Sequence, residues 1–212
     1  MNFDRSKQIV MDQLGRQYFN NPDVVFLARD MLGKHIRTNI DGILCSAIII
    51  ETEAYRAPED KASHAYGNKR TKRTETMFGP AGIAYVYLNY GIHHLFNIVT
   101  GPIDMPHAIL IRAILPVENR SLQISRRKTR QKKKIKGLFT GPGKISQALG
   151  IRTSHNGADL CKINGSIGIF DCGNKYNEDM TTEAPRVGID YAEEWALKPW
   201  RFILTIDDQD YQ

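Results

Sequence analysis

Residues 35–55 read HIRTNIDGILCSAIIIETEAY, and this stretch decides how the central sheet begins. Two runs rich in β-branched residues flank the pair Asp41-Gly42. Aspartate followed by glycine is typical of the two-residue turn that joins antiparallel strands. The pattern therefore predicts a β-hairpin, whose second strand continues through the apolar residues 48–50 and is buried there.

Two carboxylates, Glu51 and Glu53, follow where the apolar run stops. Alternate residues of a strand point to the same face, so we expect both carboxylates and Tyr55 on one side of the sheet. The residues alone leave three interpretations open. Glu53 could be solvated at a strand end, could form a metal site with Glu51 and His64, or could activate water as a general base.

A second hairpin is predicted where residues 83–97 read IAYVYLNYGIHHLFN. Alternation places Tyr85 and Tyr87 on one face and Val86 on the other. The sequence Asn-Tyr-Gly at 89–91 predicts a turn that projects Tyr90 from the hairpin tip. Tyrosines at 55, 66, 85, 87 and 90 could pack in the core or could stack on nucleobases, and the residues do not decide between the two.

Basic side chains are concentrated at positions that suit phosphate groups. Residues 68–75 read NKRTKRTE, in which cations alternate with small hydroxyls, although a solvated loop would look the same. Lys144 opens a predicted helix after Gly-Pro-Gly, where backbone amides can also hold an anion. Arg112 lies inside an apolar strand, which indicates a paired or anion-facing role because burying an unpaired charge is costly.

The formal net charge of the 212-residue chain is +6, but it is concentrated in one place. Eight lysines and arginines lie between residues 126 and 136, and without them the net charge would be negative. Such localised charge favours a nucleic acid as partner. We predict that residues 126–136 form a basic loop insertion, with a strongly charged helix as the alternative.

The cysteines and the beginning of the chain bear on its compartment. Cys45, Cys161 and Cys172 are an odd number and have no CxxC spacing, which predicts neither a disulfide framework nor a zinc site. No apolar run is long enough to span a membrane, and the start MNFDRSKQ is not a secretory signal. We therefore expect a cytoplasmic protein, in the bacterial cytosol or nucleoid, or a nuclear one if it is eukaryotic.

The organisation predicted from the residues is one domain with a short extension. Residues 1–20 are polar with few anchors and are predicted to be a loosely ordered lead-in, whereas residues 21–212 form the domain. A helix over about 22–32 is expected to begin with Asn21 as its cap and Pro22 in its first turn, and to stop at Gly33. Residue types and spacing alone thus predict a nucleic-acid binder with a candidate catalytic carboxylate.

Several separated motifs resemble, in the same order, those of the alkyladenine (3-methyladenine) DNA glycosylase family. They extend over roughly residues 21–206, nearly the whole chain. They are ETEAY at 51–55, PED followed by AxH at 58–64, YVYxxYG at 85–91, the asparagine at 97, LxRAxxP at 110–116, GPxKxxQAL at 141–149, and RVG followed by EWAxKPxRF between 186 and 202.

The resemblance implies a mixed α/β (α+β) fold, with a single compact domain, a curved antiparallel sheet, a protruding β-hairpin and flanking helices. It implies a monomeric base-excision-repair enzyme that needs no metal or cofactor and has no membrane partner. Its partner would be double-stranded DNA containing damaged purines such as 3-methyladenine, 7-methylguanine and hypoxanthine. The enzyme would flip the base out and hydrolyse its N-glycosidic bond, leaving an abasic site. No lysine adjoins the catalytic motif, so a monofunctional enzyme without a lyase step is expected.

The same resemblance assigns roles to individual residues. Glu53 resembles the general base, and Arg112 the arginine near the catalytic water and the target nucleotide. Tyr90 looks like the side chain that is inserted into the DNA. The substrate-binding positions are Tyr55, His64, Tyr87, Asn97, Val187 and Gly188, of which Asn97 crowds the exocyclic amine of normal guanine. The positions that contact phosphates are Lys69, Thr71, Arg73 and Lys144.

Two functions of other classes remain possible from the residues. A non-catalytic binding module could use the same basic loops and tyrosines, but it would gain nothing from a carboxylate aimed at the sugar of an anionic ligand. An enzyme that acts on RNA would differ in its preference between duplex DNA and RNA. Glu53 therefore distinguishes a glycosylase from a binding module, and the preference for duplex DNA or RNA distinguishes it from an enzyme that acts on RNA.

Overall fold

The computed structural model of the chain describes residues 11–127, 135–173, 176 and 178–206. The strands of this part are β1 (Asp12–Gln13), β2 (His35–Ile40), β3 (Ile43–Tyr55), β4 (Ala84–Asn89), β5 (His93–Thr100), β6 (His107–Pro116), β7 (Ile167–Asp171), β8 (Thr181–Ala184) and β9 (Arg201–Leu204). The α-helices are α1 (Arg16–Phe19), α2 (Val24–Asp30), α3 (Arg120–Arg126) and α4 (Pro142–Leu149). Short 3-10 turns connect them, at Tyr66–Asn68, Glu75–Phe78, Ile135–Leu138, Thr153–His155, Glu178–Met180 and Asp190–Leu197.

The strands form a single antiparallel sheet in the order β1-β7-β2-β3-β6-β5-β4. The long strand β3 organises it, because it is paired along both of its edges. One edge pairs with β6, while the other pairs first with β2 and then, over residues 51–53, with β9. The β3–β6 register shifts on either side of Glu51, where the strand bends. The sheet thereby curls into a half-barrel, and the predicted fold class is confirmed.

The predicted hairpin at Asp41-Gly42 is present. Its two turn residues have φ angles of 55° and 73°, and Ile40 pairs with Ile43 across the turn. Both angles lie in the left-handed region that aspartate and glycine tolerate best, so the local sequence accounts for the turn.

Helix α2 is shorter than predicted, and it has a different cap. It begins at Val24, and Oδ1 of Asp23 accepts hydrogen bonds from the amides of Val25 and Phe26 at 3.1 and 2.9 Å. Asn21, the predicted cap, instead accepts from the amide of Asp23 at 2.9 Å and therefore belongs to the preceding turn. The helix ends at Asp30, before Gly33 turns the chain with a φ of 83°.

Part of the predicted lead-in is built into the fold. Residues 1–10 lie outside the described residues, but β1 pairs with β7, and α1 follows it. The reason is Phe19, which is fully buried in the main hydrophobic core. Leu14 and Tyr18 of the same segment also pack against this core, so its few apolar residues anchor it.

The β4–β5 hairpin has the predicted faces and tip. Tyr85 packs in a small cluster with Met77 and Phe78, whereas Val86 points into the main core. Tyr90, at the tip, has a φ of 49° and is 89% exposed. The outer edge of β4 is bonded by residues 156–158 along the chain: Ala84 exchanges backbone hydrogen bonds with that segment at 2.8 Å, and the amide of Val86 donates to Oδ1 of Asn156 at 3.0 Å.

Only part of the predicted basic insertion, residues 126–136, lies within the described residues. Helix α3 covers its first residue, and residues 128–134 lie outside the described part of the chain. Helix α4 begins with Pro142 at its first position and packs on β5 and β6, close to the hairpin. None of the described helices is both long and apolar enough to cross a bilayer.

Candidate active site

A cavity of about 360 Å³ opens between the β4–β5 hairpin, the end of β3 and the loop before β9. All the predicted substrate-binding residues contribute to its lining, together with the predicted wedge and the arginine of β6: Tyr55, His64, Tyr87, Tyr90, Asn97, Arg112, Val187 and Gly188. Ser63, Tyr85 and Tyr191 line it as well. Tyr85 is one of the tyrosines for which stacking or core packing was left open, whereas the sequence did not single out Ser63 and Tyr191. Residues from five separate segments of the chain are thus brought to one site.

Glu53 lies directly behind this lining, and its side chain is fully buried. Its Oε2 accepts hydrogen bonds from the hydroxyl of Tyr55 at 2.8 Å and from Nη1 of Arg112 at 3.3 Å. Its Oε1 accepts from the backbone amide of Val187 at 2.8 Å. All three donors belong to cavity residues, and the structure excludes the interpretation of Glu53 as a solvated strand end.

Arg112 joins the two carboxylates of β3. Its Nε donates to Oε1 of Glu51 at 3.1 Å, which confirms that Glu51 and Glu53 share one face of the strand. Arg201 of β9 donates to the same Glu51 oxygen, also at 3.1 Å. Two cations and two carboxylates therefore alternate beneath the cavity, and the predicted pairing of Arg112 is confirmed.

The pKa of Glu53 is raised above its ordinary value, because burial penalises the charged carboxylate and Glu51 adds repulsion. Arg112, the amide of Val187 and the hydroxyl of Tyr55 oppose this effect. A carboxylate with a raised pKa binds a proton more readily than an exposed one. That property suits a group that must take a proton from water.

His64, Tyr85 and Tyr87 form an aromatic part of the cavity lining. The His64 and Tyr87 ring centroids are 4.7 Å apart at 73°, and those of Tyr85 and Tyr87 are 5.4 Å apart. Arg73 Nη2 lies 3.3 Å from His64 Nε2, and His64 Nδ1 lies 2.9 Å from the Tyr85 hydroxyl. A guanidinium can only donate, so Nε2 must accept, and the proton of the imidazole is on Nδ1.

His64 is neutral under ordinary conditions. Burial and the nearby Arg73 charge lower its pKa to about 4. A protonated imidazole would repel a positively charged ligand, whereas the neutral ring does not. The wall is therefore a set of uncharged aromatic rings, suited to a flat ligand.

Arginines cover two of the tyrosines that line the cavity. The guanidinium of Arg73 lies 4.8 Å from the ring centroid of Tyr87, and that of Arg186 lies 4.7 Å from the ring centroid of Tyr55. Neither arginine is part of the cavity lining. Each guanidinium lies against its ring in a cation–π arrangement.

Arg186 also forms an ion pair that the sequence did not predict. It pairs with Asp60, and both side chains are fully buried. Oδ1 of Asp60 accepts from the amide of Ala62 at 3.0 Å, and Arg186 donates to the carbonyl of Ala54 at 2.8 Å. Asp60 lies in the PED motif and Arg186 in RVG, so the quoted motifs contained the pair, but no pattern linked its two halves.

The predicted phosphate contacts differ in their surroundings. Lys69 and Thr71 are exposed, whereas Arg73 is held against Tyr87 and His64 as described. Lys144, in the first turn of α4, donates to the carbonyl of Gly137 at 2.9 Å. Their contacts with phosphate stay a prediction. Arg70, in the same basic loop, bonds Glu75 and Asp104 and covers the ring of Phe78.

Asn97 is buried on β5, and its orientation is fixed by the sheet. Its Nδ2 donates to the carbonyl of Tyr85 at 3.1 Å and lies 3.4 Å from that of Leu95. The side chain cannot turn without losing these bonds. A rigid polar group at the back of a ring-lined cavity can exclude ligands that carry an extra substituent at that point.

The metal interpretation receives no support from the geometry. Within the described residues, no three histidine, cysteine, aspartate or glutamate side chains come close enough to hold a metal ion. His64 instead bonds Tyr85 and Arg73, while Glu51 and Glu53 bond arginines. The arrangement can hold a planar ligand between rings and can activate water with a buried carboxylate.

Comparisons with known proteins identify the family of the chain. The family model described as methylpurine-DNA glycosylase (MPG) matches residues 17–208. Among curated relatives, a Chlamydia felis protein is 46% identical over 91% of this chain and 96% of its own length, and one from Chlamydia abortus is 47% identical over 91% and 98%. A Desulfitobacterium hafniense protein is 45% identical over 95% and 98%. All three relatives carry the name "Putative 3-methyladenine DNA glycosylase".

Proposed function

This chain belongs to the methylpurine-DNA glycosylase family, and is therefore a DNA glycosylase of base excision repair; we propose that it removes alkylated and deaminated purines with Glu53 as the general base. The substrates would be 3-methyladenine, 7-methylguanine and hypoxanthine in double-stranded DNA. The observation that carries the proposal is the full burial of Glu53 directly behind a ring-lined cavity, bonded to three of its lining residues.

Base flipping follows from the position of the cavity. The C1′–N9 bond of a nucleotide inside a duplex is out of reach, so the nucleotide must leave the stack, at a cost of roughly a few kcal/mol. Tyr90 is 89% exposed at the hairpin tip and also lines the cavity mouth. Inserted into the stack, its ring would fill the gap and offset that cost.

The flipped base would lie between Tyr55 and Tyr87, beside His64. A cationic purine gains cation–π attraction from these rings, about 1 kcal/mol or more for each when water is excluded. The fixed amide of Asn97 would crowd the exocyclic amine of undamaged guanine. Hypoxanthine lacks that amine and would avoid the clash, whereas 7-methylguanine keeps it and would be removed because its positive charge makes the base a good leaving group.

Hydrolysis would use a water held near Glu53, Arg112 and the Val187–Gly188 backbone. As the C1′–N9 bond breaks, its electron pair stays on the purine, and the sugar becomes an oxocarbenium-like cation. The water oxygen bonds to C1′, and Glu53 takes its proton. The products are the free base and an abasic site. No lysine is expected to form a Schiff base, so borohydride should trap no covalent protein–DNA adduct.

Location and oligomeric state are part of the same proposal. The relatives named above are all bacterial, which supports action on DNA in the cytoplasm. We propose that the enzyme acts as a monomer, because residues of one chain supply the entire lining of the cavity.

Base release from duplexes that contain 7-methylguanine or hypoxanthine tests the function. The wild type should release both bases, and Glu53→Gln should lower the single-turnover rate by about 10²–10⁴-fold with duplex binding retained. Glu51→Gln is the matched control on the same strand and should lose far less, because it leaves the bonds of Glu53 to Tyr55 and Val187 in place. Tight duplex binding without release of either base, or of 3-methyladenine, would instead indicate a binding module.

A further inference from the structure

The loop between β3 and the turn at Tyr66–Asn68 carries a hydroxyl group that has no part in the proposed reaction so far. Ser63 of this loop lines the cavity and is buried. Its amide donates to the carbonyl of Asp60 at 2.9 Å, and its carbonyl accepts from the amide of Tyr66 at 3.1 Å. Both backbone groups of Ser63 are therefore bonded within the loop, and the polar atom left for a ligand is Oγ.

The hydroxyl of Ser63 is bonded as an acceptor but not as a donor. Its Oγ accepts from the amide of Ala65 at 3.2 Å. In the part of the chain that the structure describes, no atom accepts the hydrogen of this hydroxyl. A ligand that displaces water from Ser63 must accept this hydrogen itself, or the hydroxyl loses a hydrogen bond.

The loop holds Ser63 in one position. Oδ1 of Asp60 accepts from the amide of Ala62 at 3.0 Å, and both oxygens of Asp60 are bonded by Arg186. Asp60 and Arg186 are fully buried, so the loop is anchored to the interior immediately before Ser63. A donor that is already fixed in place costs little entropy when a ligand binds to it.

We propose that Ser63 is a specificity-determining residue that donates a hydrogen bond to the 6-carbonyl oxygen of a flipped purine. The inference rests on the proposed function and concerns which lesions the cavity favours. 7-Methylguanine and hypoxanthine carry this carbonyl, whereas 3-methyladenine carries an amine at the same position, and an amine donates. The amine could donate to the second lone pair of Oγ, but the hydrogen of the hydroxyl would then stay unpaired.

The test compares two lesions in one DNA sample. DNA treated with a methylating agent contains both 7-methylguanine and 3-methyladenine, and chromatography of the released bases measures both rates together. Both lesions are cations in the same DNA, so the ratio of their rates cancels changes in DNA binding and in the attraction of a cation to the rings. Ser63→Ala should lower kcat/KM for 7-methylguanine about three- to tenfold relative to 3-methyladenine. Ser63→Thr keeps the hydroxyl and should hold the ratio within about twofold of the wild type.

Ser46→Ala is the matched control. Ser46 on β3 is also buried, and its Oγ accepts from the amide of Glu118 at 3.3 Å, but it does not line the cavity. Loss of its hydroxyl should change both rates by the same factor. An unchanged ratio in Ser63→Ala would overturn the inference and leave the hydroxyl as a support of the loop only. Failure of the wild type to release either base would contradict the proposed function itself, and the inference with it.

Discussion

Asp60 and Arg186 form a bidentate ion pair, with oxygen–nitrogen distances of 2.5 and 2.8 Å, and both side chains are completely buried. The pair connects the end of β3, the loop that carries His64 and the loop that carries Val187. Arg186 donates to the carbonyl of Ala54, and the same guanidinium covers the ring of Tyr55. Three parts of the cavity wall thus depend on one buried pair of charges.

Asp60→Asn should destabilise the protein strongly. The substitution leaves the guanidinium of Arg186 buried without a counter-charge, which costs about 3–5 kcal/mol in the free energy of unfolding. Urea denaturation measures this loss. The exposed pair of Arg29 and Glu183 provides the control, since Glu183→Gln should cost no more than about 1 kcal/mol. Adding Arg186→Met to Asp60→Asn should recover part of the stability, because no unpaired charge then remains buried. A loss of under about 1 kcal/mol in Asp60→Asn alone would contradict the prediction.

As the pH is lowered, the rate of base release should begin to fall at a higher pH than it would if the general base had the pKa of an ordinary glutamate. Glu53 must be ionised to accept a proton from water, and burial raises its pKa. The rate therefore declines as the pH falls through that raised pKa. His64 should add no second step near pH 6.5, because its own pKa is lowered to about 4. Single-turnover release of 7-methylguanine against pH measures the profile.

Tyr55→Phe tests whether the fall in rate on the acid side of the pH profile, its acid limb, is due to Glu53. The hydroxyl of Tyr55 donates to Oε2 of Glu53 at 2.8 Å and so favours the ionised form. Without this bond the pKa of Glu53 rises further, and the limb should move to higher pH, whatever the change in the maximal rate. A limb at the same pH in both proteins would assign it to another group.

Tyr90→Ala should impair action on duplex DNA without weakening the fold. The side chain is 89% exposed, so the free energy of unfolding should change by no more than about 0.5 kcal/mol. Release of hypoxanthine from a duplex should fall about ten- to hundredfold, because nothing fills the gap left by the flipped nucleotide. Release from single-stranded DNA should fall much less.

Ile163→Ala is a suitable control for the removal of an exposed apolar side chain. Ile163 is 77% exposed beside β7 and β2, near the opposite edge of the sheet from the hairpin. Its loss should leave release from both DNA forms unchanged. Equal losses from duplex and single-stranded DNA in Tyr90→Ala would show that Tyr90 contributes to the pocket rather than to strand separation.

The local parts of the fold follow from the sequence, because their determinants are neighbours in the chain. Asp41-Gly42 specifies its turn through backbone angles alone, and alternation along β4 is enough to divide the tyrosines from Val86. The cap of α2 shows the limit of this reasoning. Asn21 and Asp23 are both good cap residues, and the choice depends on which of them the preceding turn uses first.

The buried charges could not be predicted because their partners are distant in sequence. Asp60 is followed and preceded by polar residues, which is the pattern of a solvated loop, and Arg186 is 126 positions away. Glu53 looked like a strand end because the apolar run stops at residue 50. In the structure β9 pairs with β3 from Glu51 to Glu53, so burial comes from a strand at the other end of the chain.

The hydrogen bonds along the outer edge of β4 bear on self-association of the protein in concentrated solution. A hairpin that projects Tyr90 into solvent places an apolar tip on the last strand of a sheet, where a second molecule could add a strand of its own. Residues 156–158 already bond the amide and the carbonyl of Ala84 and the amide of Val86, which such a strand would need. The base of the hairpin is thereby protected against edge-to-edge pairing while its tip stays exposed.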